Sequence, residues 1–229
     1  MFDLKGYGWM LWEGLAMTLA VGACALLLAM FMGLLGAWGK LARNPAAKLA
    51  ASTYTTVIRG IPELLLLLIV FYGTPTLLQA LARRAGFDIR IDFNAFTAGV
   101  MTLGFIYGAF ATEVFRGAFL AVPRGQVEAA YACGMSKALA FRRVMLPQIW
   151  RFALPGLGNV WMVLIKATAL VSVIQLDDLM RKSFIAMGVT KQPFDFFFVA
   201  ALMYLGITAV SMLGQQQIER WANRGVRRA

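Results

Sequence analysis

Histidine is absent from this 229-residue chain. That removes imidazole general bases and imidazole metal ligands from any chemistry the chain could perform. Cysteine occurs twice, at Cys24 inside an apolar run and Cys133 in a polar stretch, a placement that suits neither a disulfide nor a thiolate metal site. Charge is scarce: Asp, Glu, Lys and Arg make up 14% of residues, against about 25% in soluble domains. Acids are the scarcer sign, 11 against 22 Lys and Arg. No phosphate-binding G-x-x-x-x-G-K-[ST] loop exists, because Gly39-Lys40 is preceded by Leu34 where glycine is needed and followed by Leu41. Gly156 and Gly158 are followed by Trp161, so no dinucleotide fingerprint exists either. No serine, thiol or carboxylate has a visible activating partner. The chain therefore reads as a non-enzyme that binds no cofactor of its own.

What is present is apolar surface, with 60% of residues hydrophobic. A water-soluble fold of this length could not hide so much, whereas a bilayer accepts it on helix exteriors. A hydrocarbon core of about 30 Å needs about 20 helical residues. Five segments qualify, at about 14–38, 61–81, 95–119, 152–174 and 194–215, within one domain spanning 1–229. The first is too long for a secretory h-region, and four more follow. Trp9, Trp12, Trp38, Trp150 and Trp221 fall near span ends, where interfacial aromatics belong.

The net charge of +11 is a loop property. One set of connections holds Lys40, Arg43, Lys48, Arg59, Arg124, Lys137, Arg142, Arg143, Arg220, Arg224, Arg227 and Arg228, with Glu128 and Glu219 as its acids. The alternate set holds Lys5, Arg83, Arg84, Arg90, Arg181, Lys182 and Lys191, balanced by Asp3, Glu13, Asp88, Asp92, Asp177, Asp178 and Asp195. Twelve bases against seven place the first set in the cytoplasm, with the N-terminus outside and the C-terminus inside. No basic face with interleaved aromatics appears, so nucleic acid is not an expected partner.

The longest connection, about 120–150, lies on the cytoplasmic side by that count. Pro123 and Gly125 break the preceding helix, and residues 126–133 favour a new one. Gly134 fits a left-handed helix end, and Ser136 fits the cap of a second short helix expected to stop before Pro147. Phe141, Val144 and Met145 would share a stripe. Such a hairpin, with Ala129 and Ala130 on a small-residue face, suits either docking into another protein's groove or packing on its own bundle.

The run Glu128-Ala129-Ala130, then Gly134, then Leu146-Pro147 resembles the EAA signature of permease subunits of ABC importers. Three further stretches are similar to the polar amino acid branch of that family: Arg59-Gly60-Ile61-Pro62-Glu63, Gly108 to Ala118, and Leu164 to Ser172. Together they cover nearly the whole chain. The likeness is to histidine/lysine/arginine/ornithine and opine types. Glu63 stands where the branch often has a small or polar residue. The resemblance implies an all-α integral membrane protein, a five-helix type I permease bundle with a cytoplasmic coupling-helix loop. Glu128, Ala129, Ala130 and Gly134 would dock an ABC ATPase dimer, which uses the ATP. A second, homologous permease subunit would complete a heterodimer, and a periplasmic binding protein would deliver a polar, basic amino acid or opine. The setting would be a bacterial inner membrane. Glutamine or an acidic amino acid is the alternative cargo, and an ATP-independent secondary transporter the alternative mechanism. No internal repeat supports the latter.

Ionisable residues at bilayer depth are costly and default to functional hypotheses. Lys166, near the middle of the fourth span with Thr168 and Ser172 close by, either lines the translocation path or pairs with Glu113 or Glu63. Glu113 and Arg116, three apart, form an intrahelical pair that anchors the interface or gates the path. Glu63 after Pro62 suits a helix start. Gly104 and Gly108 make a small-xxx-small pair for close packing. Pro155-Gly156-Leu157-Gly158-Asn159 weakens its helix, as a gate bend or at an interface. Phe196-Phe197-Phe198 reads as a packing run.

Overall fold

The computed structural model describes residues 4–87 and 94–223, all of them helix, turn or short connection. Asp3, Asp88, Arg90, Asp92, Arg224, Arg227 and Arg228 of the charge pattern lie outside the described residues. The α-helices are α1 Gly8–Leu41, α2 Pro45–Gly60, α3 Glu63–Leu68, α4 Thr74–Arg84, α5 Ala95–Ala121, α6 Arg124–Ala132, α7 Lys137–Ala140, α8 Leu146–Ala167, α9 Leu179–Thr190 and α10 Pro193–Ala222. π-turns at Ile69–Gly73 and Phe141–Met145 join α3 to α4 and α7 to α8, and a 3₁₀ stretch, Thr168–Ile174, extends α8. Among the described residues, five stretches are long and apolar enough to cross a membrane: Gly8–Leu41, Glu63–Arg84, Ala95–Ala121, Lys137–Ile174 and Pro193–Ala222. Local chemistry starts several of them. Asn44 and Asn94 cap α2 and α5 by accepting from the Ala46 and Phe96 amides at 2.9 and 2.8 Å, and proline occupies the first turn of α2, α4, α8 and α10.

Close glycine contacts fix the packing. A Cβ on Gly104 would lie 2.6 Å from Leu28, and one on Gly108 2.7 Å from Met32, while Gly36 abuts Thr112. The constant offset means that α1 and α5 run parallel, so the chain must cross once between them. Gly22 lies against Trp161 and Ile165, and Ala37 clusters with Ile149 and Ala153, so α8 runs antiparallel to α1. The Trp161 indole donates to Ser211 Oγ at 2.9 Å, and Gly158 meets Gln215, which turns α10 back again. Small residues matter here because lipid offers helices no hydrophobic reason to associate, leaving close van der Waals contact as the main attraction.

Two departures from the sequence expectations shape the rest. The helix expected to end before Pro147 continues through it into α8. Proline normally clashes with the carbonyl four residues earlier. Here that carbonyl is in the Phe141–Met145 π-turn, whose wider winding absorbs the conflict. With Phe141 exposed there and Met145 packed beside Val127, the expected common stripe is split. The first connection is likewise no simple loop. α2 folds back along the bundle: Gly39 faces Ala51, and the Tyr54 hydroxyl donates to the Phe105 carbonyl at 2.6 Å, against Gly108. The break at residues 60–62 therefore comes level with the middle of α5, where the Tyr107 hydroxyl donates to Glu63, with Gly60 and Pro62 exposed.

Candidate coupling hairpin and buried charges

α6 and α7 form the hairpin. α6 closes with a Schellman pattern: the Gly134 amide donates to the Tyr131 carbonyl at 2.9 Å and the Met135 amide to Ala130 at 3.1 Å. Gly134 takes φ +77°, a left-handed conformation favouring glycine. Ser136 Oγ then caps α7 through the Leu139 amide at 3.4 Å. Glu128, Ala129 and Gly134 face outward, but Ala130 is buried at 4% exposure. Ala130 is thus withdrawn from the surface, and Tyr131 joins the exposed face in its place.

The charges within the spans pair only partly as expected. Glu113 is bonded by Arg116 Nε at 2.9 Å, the intrahelical pair, and also by Lys40 Nζ from the last turn of α1. The Lys40 contact was hidden in the sequence, where Lys40 reads as a loop base. Only the parallel register of α1 and α5 brings it there. Lys166 touches neither Glu113 nor Glu63. It is exposed on the bundle exterior, beside a cavity of about 350 Å³ lined by Met180, Phe197 and Tyr204. Thr168 and Ser172 turn inward instead, donating to the carbonyls of Ile165 and Ala169 at 2.6 and 2.7 Å. The structure therefore does not gather Lys166, Thr168, Ser172 and Glu113 into one path.

Two features escaped sequence reading. Glu63 accepts a hydrogen bond at 3.0 Å from Tyr107, a fully buried α5 residue, while the Arg59 guanidinium lies 4.9 Å over the Phe110 ring. Near the start of α9, Asp178 is fully buried, caps the helix through the Arg181 amide at 2.9 Å and keeps Oδ2 unbonded. Burial pushes its carboxyl up to about 6, with a smaller push from Asp177 and an opposing pull from backbone amides. A raised acid favours the fold in its neutral form. Its contribution is complete below the unfolded carboxylate range, about 4, and is lost as pH rises through about 6. Melting measured in detergent should fall between pH 4.5 and 7, by the equivalent of about 2–3 kcal/mol. Asp178→Asn caps equally well, so it should melt higher than wild type at pH 7 and flatten the profile. An unchanged slope in that variant would refute the assignment.

Comparison with known proteins gives consistent findings. The family model described as the binding-protein-dependent transport system inner membrane component matches residues 25–224. The chain is 44% identical over 226 residues to the histidine/lysine/arginine/ornithine transport system permease protein HisQ of Salmonella typhimurium, covering 99% of both. It is 46% identical over 223 residues to the nopaline transport system permease protein NocQ of Agrobacterium fabrum, covering 97% of this chain and 94% of that protein. A crystal structure of an amino acid ABC transporter with histidines superposes with a TM-score of 0.81 at 34% identity, over 96% of this chain and 99% of that one. The MetNI methionine ABC transporter shares the fold at 19% identity, TM-score 0.75.

Proposed function

Since this chain belongs to the family of binding-protein-dependent transport system inner membrane components, we propose that it is the permease subunit of an ATP-driven importer for basic amino acids or related opines. The observation that carries the reading is likeness over nearly the full length to the HisQ and NocQ permeases, coupled to a hairpin with the geometry of a docking element. ATP hydrolysis belongs to a separate ATPase, and a binding protein presents the substrate. The permease works beside a second, homologous subunit. The basic bias of alternate connections supports an N-terminus outside and the hairpin inside the cell.

Mechanically, the hairpin suits force transfer. α6 packs against α7 and the π-turn that leads into α8, and the exposed Glu128, Ala129 and Gly134 offer the ATPase a low-profile surface. At Gly134, a β-branched side chain would have to hold positive φ, a conformation costing of order 1–3 kcal/mol. Gly134→Val should insert and assemble in the membrane yet lose most ATP-dependent uptake of radiolabelled arginine in vesicles carrying the ATPase, partner permease and binding protein. Uptake by wild type that is indifferent to ATP would refute the reading. For orientation, a cysteine replacing Ser136 should react with an impermeant maleimide only after the cytoplasmic side is opened.

A further inference from the structure

A groove of about 550 Å³ runs between α1, α8 and α10. Leu27 of α1 and Ile218 of α10 line it and are exposed, so it opens on the outside of the bundle. Along α8 it reaches from Trp150 to Trp161. That stretch of helix is about 16 Å long, close to the ~15 Å that one leaflet contributes to a hydrocarbon core of about 30 Å. Apart from Ser211, Gln215 and Glu219, the described residues lining it are apolar or glycine. Ser211 accepts from the Trp161 indole. Gln215 donates to the Pro155 carbonyl at 3.4 Å and to Glu219 Oε1 at 2.7 Å. One carboxylate therefore remains, at the Trp150 end, where an interfacial tryptophan marks the edge of the hydrocarbon.

Glu219 meets no cation among the described residues. The positions three and four away on α10 are Gln215, Gln216, Ala222 and Asn223, and on α8 the Arg151 guanidinium lies 5.3 Å over the Phe152 ring. Arg220 is adjacent in sequence, and neighbours on a helix do not face each other. It is exposed and borders a second hollow that shares Ile218 with the groove. The mouth thus presents one acid and one base above an apolar slot one leaflet deep. We propose that this groove is a phospholipid site, with one acyl chain lying along α8 and an ethanolamine headgroup at the mouth, its ammonium on Glu219 and its phosphate beside Arg220. One charge of each sign suits a zwitterion. Phosphatidylglycerol brings no cation to Glu219, and the trimethylated ammonium of phosphatidylcholine has no N–H to donate. The chain supplies the contacts that the groove walls otherwise lack. Because α8 continues from the hairpin through the π-turn, the lipid braces that helix against α10. The site stands independently of the transported substrate.

The test is native mass spectrometry of the full chain, extracted in the assembly it forms in the membrane. The sample is incubated with equimolar phosphatidylethanolamine, phosphatidylcholine and phosphatidylglycerol of one acyl composition. Only this chain is varied, so lipid held by other subunits is a constant background. Wild type should retain phosphatidylethanolamine about fivefold over either competitor, as one partly screened charge-assisted contact allows. Glu219→Gln should abolish the preference over phosphatidylcholine and leave total retained lipid unchanged. Gly214 lines the groove, and a Cβ there meets nothing within 4 Å. Gly214→Phe should therefore fill the slot without displacing a helix and remove the lipid. Gly206→Phe, also in open space but off the groove, should retain it. Wild-type retention by Gly214→Phe, or an undiminished preference in Glu219→Gln, overturns the proposal. So does wild type that holds the three lipids equally, or that holds none because a partner's helix covers the groove. If Gly214→Phe fails to accumulate, Ala23→Phe decides in its place, since Ala23 is exposed on the α1 wall of the groove: loss of lipid supports the site, and full retention overturns it.

Discussion

Gly33→Leu should keep the protein from accumulating as a folded bundle. Even a single Cβ at position 33 would lie 2.6 Å from Ala111 Cβ, 3.0 Å from the Ala111 carbonyl carbon and 3.2 Å from Phe115. Two of these atoms cannot swing away, since one is backbone and the other is fixed to it. Overpacking usually costs about 1–3 kcal/mol. Here the cost propagates, because the same seam continues through Gly36 on Thr112, Gly104 on Leu28 and Gly108 on Met32. Separating α1 from α5 at one level loosens their contact at the others, and lipid supplies no hydrophobic force to restore it. Gly33→Ala should already melt several degrees lower in detergent, whereas Gly206→Ala, with open space around it, should be neutral. Equal melting of the two alanine variants would show that the register is misassigned.

How much of this was legible beforehand follows from what each level of physics depends on. The five apolar runs are visible because lipid selects composition over a fixed length. The hairpin turn is visible because Gly134 and Ser136 act within a few residues, through left-handed backbone and a cap bond. Glu113 and Arg116 are visible for the same reason, being three apart on one helix. Lys40 is not, since its meeting with Glu113 depends on two helices running parallel in one register. The return of α2 is hidden similarly: the Tyr54 bond to the Phe105 carbonyl joins positions 51 apart. Lys166 shows the converse error. Hydropathy puts it inside a span but gives no direction around the helix, and its side faces outward. The π-turn before Pro147 has no local signature, so a rule that proline ends helices gave the wrong boundary.

The second large effect is expected at Glu113, and its pattern should reveal what the charges do. Lys40 and Glu113 side chains are 14% and 27% exposed, so water screens their interaction only partly. Removing one partner of a buried pair costs about 3–5 kcal/mol because the survivor is left uncompensated; partial exposure reduces this. Glu113→Gln strands Lys40 and Arg116 as neighbouring like charges and should cost about 3 kcal/mol. Lys40→Met leaves Glu113 with Arg116, itself 40% exposed, and should cost about 1 kcal/mol. Combining the two removes both the acid and one stranded base, so the double variant should be more stable than Glu113→Gln alone. A thermal-melting double-mutant cycle checks this, and strict additivity would exclude the coupling. The link also has a mechanical consequence. α5 leads through Val122 and Pro123 directly into α6, so the Lys40 bridge ties the Leu41 end of α1 to the root of the hairpin. Breaking it should lower arginine uptake more than it lowers ATP hydrolysis in the assembled complex, because the motor still docks while its movement reaches a loosened bundle. A proportional fall in both would mean that the bridge stabilises the fold without transmitting motion.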